Sequence, residues 1–487
     1  MEGKFAGRRK IDEWVLLTTV YMFTKEEYSL RREELRNIVG NGLLLFLGNE
    51  ESSINFKDNW YPFRQDSTFL YFFGLNQPGL AAVIDLDEDQ EIIFGDNLTI
   101  DDVVFTGPLP ALNDLADEKG IDSVLPSLKL SKYVERAIAS GRQIHFIPPY
   151  RSDQLLKLSS LLEVSTTEIE SNHSVELIKA IVKLRSIKSD AEVVEIEKAV
   201  NITVDMQYTA MKVAAEGMLE ADLFGAVTDI ALSKGQGTSF PPIVTVNGQI
   251  LHNHYRGNTL KSGDMVLCDC GAEVSSNYAG DLTRTFPVDK KFTTRQKEIY
   301  DIVYAAYQKG VSELRPGRRF KDIHLAASKK IVEGLIELGL MKGNAEKAVD
   351  EGAHTVFFQC GLGHMMGLDV HDMEDLGEQY VGYTDNLKQS TEFGLKSLRL
   401  GRALEEGMVL TVEPGIYFIS ELIELRKSQN KFTDFIAYEK LESYKDFGGI
   451  RIEDDFLITA NGSRLLGNRL PTSSIEIEEF RASKERL

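Results

Sequence analysis

Residues 265–287 read MVLCDCGAEVSSNYAGDLTRTFP, and this stretch decides how the C-terminal part of the chain folds. One apolar run ends near Asp269, and a second begins directly after Asp281. The Ser-Ser-Asn sequence at 275–277 is typical of a turn, so the two runs are predicted to pair as a hairpin that brings both carboxylates together. Neighbouring carboxylates repel each other unless a proton or a cation lies between them. Taken alone, each aspartate could equally end a strand or cap a turn.

Cysteines flank the first aspartate. Because side chains alternate along a strand, Cys268 and Cys270 are predicted to point away from the face of Asp269 and to pack as small core residues, not as a thiolate metal site. The chain has only three cysteines, too few for a disulfide framework, which favours a reducing, cytoplasmic compartment.

Three further motifs lie outward from this hairpin. Residues 360–372, CGLGHMMGLDVHD, place His364 between glycines, and imidazole is a common metal ligand. Glu413 in LTVEPGIY and Glu453 in GIRIEDD interrupt apolar strand patterns, where an unpaired carboxylate is costly to bury. A plain ion pair with Arg451, two residues away, is the alternative for Glu453, and a satisfied core histidine is the alternative for His364.

Together, four carboxylates and one imidazole form a hard, oxygen-rich donor set. Such a set suits a pair of divalent ions such as Mn²⁺ better than a structural zinc. Paired metal ions can polarise a carbonyl and activate water, so the motifs indicate a hydrolase.

The chain is predicted to form two domains. Residues 1–172 alternate strand-like and helical runs, which predicts an α/β domain. Residues 173–487 begin with helices that include a predicted cap at Ser189, and then group their strands and helices, which predicts an α+β arrangement. The predicted strands are 43–47, 69–73, 81–84, 91–94, 144–147, 243–246, 265–269, 282–287, 408–413 and 450–459.

Composition excludes several partners. The 487 residues include 55 Lys+Arg and 75 Asp+Glu, and the resulting net charge of -20 disfavours nucleic acid or an anionic membrane as a partner. No apolar run reaches the roughly 18 residues needed to cross a bilayer. Residues 14–23 lack a small-residue cleavage site and are not predicted to be a signal peptide; a start at Met22 is the alternative.

At these motifs the sequence resembles the pita-bread metallopeptidases, specifically the branch of aminopeptidase P and prolidase. The matching blocks follow in the family's order and cover nearly the whole chain. Residues 61–69, YPFRQDSTF, with Gly74 are similar to the non-catalytic N-terminal domain of that branch. The resemblance implies a C-terminal pita-bread catalytic domain preceded by an α/β non-catalytic domain.

The resemblance also implies a dinuclear site with two divalent ions, Mn²⁺ being expected and Co²⁺ or Zn²⁺ being alternatives. Asp269 would bind one ion and His364 the other, while Asp281 and Glu453 would bridge both. Glu413 would complete the second ion's ligands and carry a proton.

Further roles are implied around the metals. His252 would face the substrate, His371 would stabilise the tetrahedral intermediate, and Arg451 and Tyr417 would support the ligands. His254 has no counterpart in the family. Cys360 stands where the family usually has a histidine, four residues before the metal histidine. This departure puts substrate contacts near the metals in doubt, whereas metal binding is expected to survive.

Within this branch the N-terminal block favours an Xaa-Pro aminopeptidase. The alternative is an Xaa-Pro dipeptidase, or prolidase, which residues 394–399, GLKSLR, and the insertion between Tyr417 and Gly449 favour. The alternative from another class is a non-catalytic binding module on the same fold. The resemblance implies a proline-containing peptide as substrate and a homodimer or higher homo-oligomer.

Overall fold

The structure is a computed structural model that describes residues 23–121 and 123–483. The alternative start at Met22 and the apolar stretch before Phe23 lie outside these residues. The chain divides into two compact units, one ending at Leu184 and the other beginning at Arg185. Within the described ranges, no helix is long and apolar enough to span a bilayer.

A five-stranded mixed sheet forms the centre of the first unit. Its order is β4-β3-β2-β1-β5, in which β1 runs antiparallel to β2 and parallel to β5, and β3 runs antiparallel to β2 and parallel to β4. Every residue of β1 and β2 is buried, which explains their nearly continuous apolar sequences. The strands are Leu43–Leu47 (β1), Ala81–Asp85 (β2), Gln90–Phe94 (β3), Ser123–Leu125 (β4) and Ile144–His145 (β5).

Helices accompany this sheet in the order in which the sequence alternates. The first begins with a capping box in which Thr24 and Glu27 exchange side-chain and backbone hydrogen bonds. The helices are Lys25–Val39 (α1), Ser67–Phe73 (α2), Ile100–Thr106 (α3), Leu112–Asp117 (α4), Lys129–Ala139 (α5), Ser152–Leu162 (α6), Thr166–Ser171 (α7) and Val175–Ser186 (α8).

The strand predicted at 69–73 is wrong, because these residues belong to α2. The Asp66 side chain accepts a hydrogen bond from the Phe69 N–H at the start of this helix, and Gly74 ends it in a left-handed conformation. All seven residues of α2 are buried. Burial on every side removes the periodicity that separates a helix from a strand, so the aromatic composition favoured the wrong element.

The second unit contains nine helices within the described residues. The first of them confirms the predicted cap, because Ser189 Oγ accepts from the Glu192 N–H and Glu192 accepts from the Ser189 N–H. The α-helices are Asp190–Val213 (α9), Glu220–Lys234 (α10), Thr294–Ser312 (α11), Phe320–Glu337 (α12), Ala345–Asp350 (α13), Glu378–Val381 (α14), Ser420–Ser428 (α15), Tyr438–Leu441 (α16) and Ser474–Ala482 (α17). Short 3-10 helices lie at Ala353–Val356, Glu374–Leu376, Leu395–Ser397 and Glu442–Tyr444.

Antiparallel strands of this unit form two three-stranded sheets, β10-β8-β7 and β11-β14-β15, and the pairs β12-β13 and β6-β9. Grouped helices and antiparallel strands confirm the predicted α+β class. The strands are Gly237–Thr238 (β6), Ile243–Thr245 (β7), Met265–Cys270 (β8), Ala272–Glu273 (β9), Leu282–Pro287 (β10), Val409–Val412 (β11), Gly415–Tyr417 (β12), Gly449–Arg451 (β13), Asp454–Thr459 (β14) and Gly462–Leu465 (β15).

The predicted hairpin is present as β8 and β10. Asp269 lies opposite Thr283, and the connecting turn passes through Asn277 at φ 65°. Cys268 and Cys270 are fully buried on the other face, where the Gln207 amide of α9 lies 3.4 Å from Cys270 Sγ. The two cysteines therefore pack in the core, as the alternation of side chains predicted.

The single strand predicted at 450–459 is broken in two. Between β13 and β14 the backbone N–H of Glu453 donates to the carbonyl of Thr283 on β10, at 3.1 Å. The Thr285 hydroxyl also accepts from the Arg451 N–H at 3.1 Å and donates to the Arg451 carbonyl at 3.0 Å. These bonds join β13 to β10 and place Glu453 beside the hairpin.

Candidate metal centre

The five acidic and imidazole side chains singled out above line one cavity of about 740 Å³ in the second unit. Ligand atoms of Asp281, His364 and Glu453 lie within 4.8 Å of one another. His364 Nε2 is 3.5 Å from Asp281 Oδ2 and 3.7 Å from Glu413 Oε1. The structure thus brings together donors that are up to about 180 residues apart in sequence, with Asp269 in the same wall.

His364 is held in the form that binds metal. Its Nδ1 donates to the carbonyl of Met365 at 3.1 Å, which leaves Nε2 without hydrogen and facing the carboxylates. Burial lowers the pKa of His364, so the ring is neutral. The loop is fixed to β11, since the His364 N–H donates to Thr411 Oγ1 and the Thr411 N–H donates to the His364 carbonyl.

Glycine is required beside this histidine. A Cβ on Gly363 would lie 2.1 Å from the Thr411 carbonyl oxygen, so a larger residue would push the histidine loop away from β11.

Asp281 and Glu453 are the most deeply buried of the carboxylates. Burial raises the pKa of each well above its usual range, and the neighbouring carboxylates act in the same direction. Glu453 Oε2 accepts the Thr283 hydroxyl at 2.7 Å, and the Asp281 N–H donates to Asp455 Oδ2 at 3.1 Å. Asp281 Oδ1 is buried and has no hydrogen-bond partner among the described residues.

Glu413 follows β11 directly, and its N–H donates to the Leu362 carbonyl at 2.8 Å. Burial raises the pKa of this carboxyl. Its oxygen thereby faces His364 at the end of a strand whose backbone is tied to the histidine loop.

The guanidinium of Arg451 balances this cluster in part. Arg451 pairs with Asp269, and it donates to Tyr417 Oη at 3.0 Å and to Thr283 Oγ1 at 3.1 Å. Arg451 therefore forms its ion pair with Asp269 and not with Glu453, the alternative considered from the sequence. Arg451 thus contacts Asp269 directly, and Tyr417 is linked to Asp269 through Arg451.

The donor set fits divalent cations. The four carboxylates share a largely buried site with one neutral imidazole and the Asp269-paired guanidinium of Arg451, and like charges at such separations are stabilised by protons or cations. Asp281, which belongs to the three-residue ligand group, has one buried oxygen without a hydrogen-bond partner in the described part of the chain, and such an oxygen is available to a cation. Carboxylate oxygens with a single imidazole match the preference of Mn²⁺-type ions, with zinc also accommodated.

Three further histidines line the same cavity. His252, His254 and His371 all belong to its wall. Burial lowers the pKa of His252, and it lowers that of His371 to about 4. His254, which the family resemblance leaves without a role, lines the same cavity.

The loop that carries His252 is held by a buried carboxylate. Glu220 Oε1 accepts from the Val246 N–H at 2.8 Å, and Oε2 accepts from the Asn258 N–H at 3.1 Å. Glu220 thus binds both ends of the loop and fixes the position of the segment that carries His252 and His254.

Cys360 also lines the cavity, with its Sγ 3.9 Å from Tyr417 Oη. Burial raises the pKa of this thiol to about 12, so it is protonated at neutral pH. The side chain is accordingly a neutral, compact neighbour of the metal ligands.

Several residues of this site are not identified by the sequence analysis. Thr283 could be identified by alternation, since it lies two residues from Asp281 on the same strand face. Lys396 and Arg399 line the cavity from an irregular segment around a 3-10 helix, where no periodicity marks them. Asp455 accepts a hydrogen bond from the Asp281 N–H. It lies in β14, just after a strand break that the apolar pattern of 450–459 does not reveal.

Comparisons with known proteins agree with this geometry. Residues 194–460 match metallopeptidase family M24, and residues 28–145 match the N-terminal domain of aminopeptidase P. The Xaa-Pro dipeptidase of Homo sapiens is 30% identical over 454 residues, which cover 91% of this chain and 89% of that protein. A probable Xaa-Pro aminopeptidase of Aspergillus fumigatus is 30% identical over 453 residues, which cover 91% of this chain and 93% of that protein.

A solved structure shows the same architecture. The zinc-substituted aminopeptidase P of Escherichia coli in complex with product has a TM-score of 0.77 and 27% sequence identity. The match covers 96% of this chain and 100% of that chain. The resemblance stated from the sequence motifs is thereby confirmed over both units.

Proposed function

The chain belongs to metallopeptidase family M24, and from this premise we propose that it is an Xaa-Pro aminopeptidase, which removes an N-terminal residue that precedes proline. The observation that carries the proposal is the placement of four carboxylates and one imidazole around one cavity. Relatives with both Xaa-Pro activities in their names support the choice of substrate class.

We assign the metal ligands as follows. Asp269 would hold one divalent ion, His364 and Glu413 the other, and Asp281 and Glu453 would be shared between them. When bound, the ions supply Lewis acidity to the scissile carbonyl and to water. We propose Mn²⁺ because oxygen donors outnumber nitrogen, and restoring activity to metal-free protein with Mn²⁺, Co²⁺ or Zn²⁺ separately tests the identity.

The chain's own residues then position the substrate and move a proton. Glu413, whose carboxyl pKa is raised by burial, would carry the proton between water and the leaving amine. His252 and His371, which line the same cavity, would contact the peptide, with His371 beside the carbonyl that becomes tetrahedral. Arg451 and Tyr417 would keep Asp269 in place.

One observation favours the alternative, an Xaa-Pro dipeptidase. Lys396 and Arg399 place two cations in the wall of the same cavity. A free C-terminal carboxylate directly after proline would be paired there, whereas a longer peptide carries its carboxylate farther away.

Comparing a dipeptide Xaa-Pro with a longer Xaa-Pro-Xaa peptide at saturating Mn²⁺ tests the proposal. Efficient cleavage of the longer peptide supports the aminopeptidase, and cleavage of the dipeptide alone supports the dipeptidase. A sample that binds no metal and cleaves neither peptide would support the non-catalytic binding module instead.

We propose that residues 173–487 form the catalytic domain, since every candidate ligand lies there, and that residues 1–172 form a non-catalytic domain. The protein is proposed to work in the cytoplasm, in keeping with its three free cysteines. Partition of activity between cell fractions tests this location.

Exposed apolar side chains on the first unit support a homodimer or higher homo-oligomer. In α3, Ile100 is 76% exposed, Val104 is 72% exposed and Phe105 is 88% exposed, and no residue of this helix is buried. Such adjacent apolar exposure is typical of an interface. Phe105→Glu should lower the sedimentation coefficient, with Leu128→Glu, at another exposed position, as the matched control.

A further inference from the structure

One carboxylate touches two residues of the cavity wall. Glu374 Oε2 lies 2.5 Å from His371 Nδ1 and 3.2 Å from Arg399 Nε. His371 and Arg399 both line the large cavity, and Glu374 meets them in the wall of a smaller adjoining recess. Glu374 is therefore placed to act through these two residues.

An unusual backbone turn puts Glu374 in this position. Met373 adopts a left-handed conformation at φ 63°, and the Glu374 N–H donates back to the His371 carbonyl at 3.2 Å. Side chains other than glycine rarely adopt this conformation, so the surrounding fold enforces it. The buried side chain of Met373 anchors the turn, which directs Glu374 toward the histidine three residues earlier.

The contact decides where the imidazole carries its hydrogen. The hydrogen bond from His371 lowers the pKa of Glu374 to about 2, so the carboxylate is ionised at neutral pH and can only accept. Nδ1 of His371 must then be the donor. Nε2 is then the ring nitrogen left to contact a peptide in the cavity.

We propose that Glu374 is a positioning residue that holds the His371 ring through its Nδ1–H and directs Arg399 toward the peptide. This inference rests on the proposed function, because it assigns both residues a task in peptide cleavage. His371 Nε2 would contact the peptide, and Arg399 would pair with a C-terminal carboxylate where one directly follows proline, as in an Xaa-Pro dipeptide.

A neighbouring glutamate provides the matched control. Glu378 Oε1 lies 3.7 Å from Arg399 Nε, and Glu378 also lines the cavity. Glu378→Gln should weaken the hold on Arg399 without removing the bond to His371. Glu374→Gln keeps an acceptor oxygen for His371 but loses the charge that Arg399 faces, and Glu374→Ala loses both.

The experiment measures kcat and KM for these variants with an Xaa-Pro dipeptide and with its C-terminal amide, which lacks the carboxylate. Glu374→Ala is expected to lower kcat about tenfold to a hundredfold on both substrates, the usual effect of removing a support of this kind. Glu374→Gln and Glu378→Gln are expected to raise KM several-fold for the dipeptide only. Metal content, measured on each sample, should match the wild type.

Unchanged kcat in Glu374→Ala, or a loss that only parallels lost metal, would overturn the proposal for His371. Should Glu374→Ala fail to fold, an unchanged dipeptide KM in Glu374→Gln overturns the proposal for Arg399. If the wild type cleaves proline peptides and the variants have the same kcat and KM, this inference is refuted while the proposed function stands. A wild type that cleaves no proline peptide removes the proposed function and this inference with it.

Discussion

A pair of buried histidines far from any assigned role is expected to make the protein sensitive to acid. His324 on α12 is 1% exposed, and His354 in the 3-10 helix Ala353–Val356 is fully buried. Their ring centroids are 6.1 Å apart, and the His324 ring lies 5.2 Å from that of Phe358. Within residues 23–121 and 123–483, none of the four ring nitrogens has a hydrogen-bond partner.

Burial lowers the pKa of His324 to about 3 and that of His354 to about 4. In the unfolded chain both titrate near 6.5. Since the folded pKa lies below the unfolded one, the stabilisation is complete above pH 6.5 and is lost as the pH falls toward 4, where the unfolded chain binds more protons. At pH 5 the solution is about 1.5 pH units below the unfolded pKa of each histidine. The free energy of unfolding is therefore lower by about 2 kcal/mol per residue and by about 4 kcal/mol for the pair.

Urea unfolding followed by circular dichroism at pH 8 and at pH 5 measures this loss. Replacing both histidines by leucine should leave the free energy of unfolding about 4 kcal/mol less dependent on pH than in the wild type, with about half of that effect from each single variant. Titration of the other groups cancels in the comparison. His254→Leu, at an exposed position of the same unit, serves as the control and should retain the wild-type dependence. Equal pH dependence in the wild type and the double variant would refute the reasoning.

The remaining predictions concern the metal centre. Asp281→Asn or His364→Ala should lower turnover more than about a thousandfold while circular dichroism stays unchanged, and near-normal kcat in either variant would contradict the ligand assignment. Thr283→Val removes the hydroxyl that bonds Glu453 and should weaken metal affinity about tenfold in a competition titration, whereas Thr285→Val should leave affinity closer to the wild type. Adding Mn²⁺ at about a hundred times its dissociation constant should stabilise metal-free protein by about 2.7 kcal/mol in thermal unfolding, an increase that Asp281→Asn should largely lose.

The hairpin shows how much of the site the sequence predicts. Alternation of side chains along β8 and β10 is enough to put Asp269 and Asp281 on one face, because both strands are apparent as apolar runs and a clear turn separates them. Glu413 and Glu453 can be recognised because each interrupts an apolar pattern. Burying an unpaired carboxylate costs free energy, so each is expected to have a partner.

Local patterns fail where tertiary contacts decide the backbone. Four of the five residues at 69–73 are aromatic, so composition favoured a strand, and only the Asp66 cap and the Gly74 stop indicate the helix. The break at Glu453 depends on a bond to Thr283, which is 170 residues away. The turn that brings Glu374 onto His371 requires a left-handed methionine, for which the sequence offers no glycine as a signal.

The most direct measurement of the central claim is metal-dependent cleavage of an Xaa-Pro peptide by chelator-treated protein during titration with Mn²⁺. No cleavage is expected without metal, and activity is expected to rise until two ions are bound per chain, with Asp281→Asn inactive at every concentration. Undiminished cleavage by the metal-free protein, or no cleavage of any Xaa-Pro peptide at saturating metal, would contradict it.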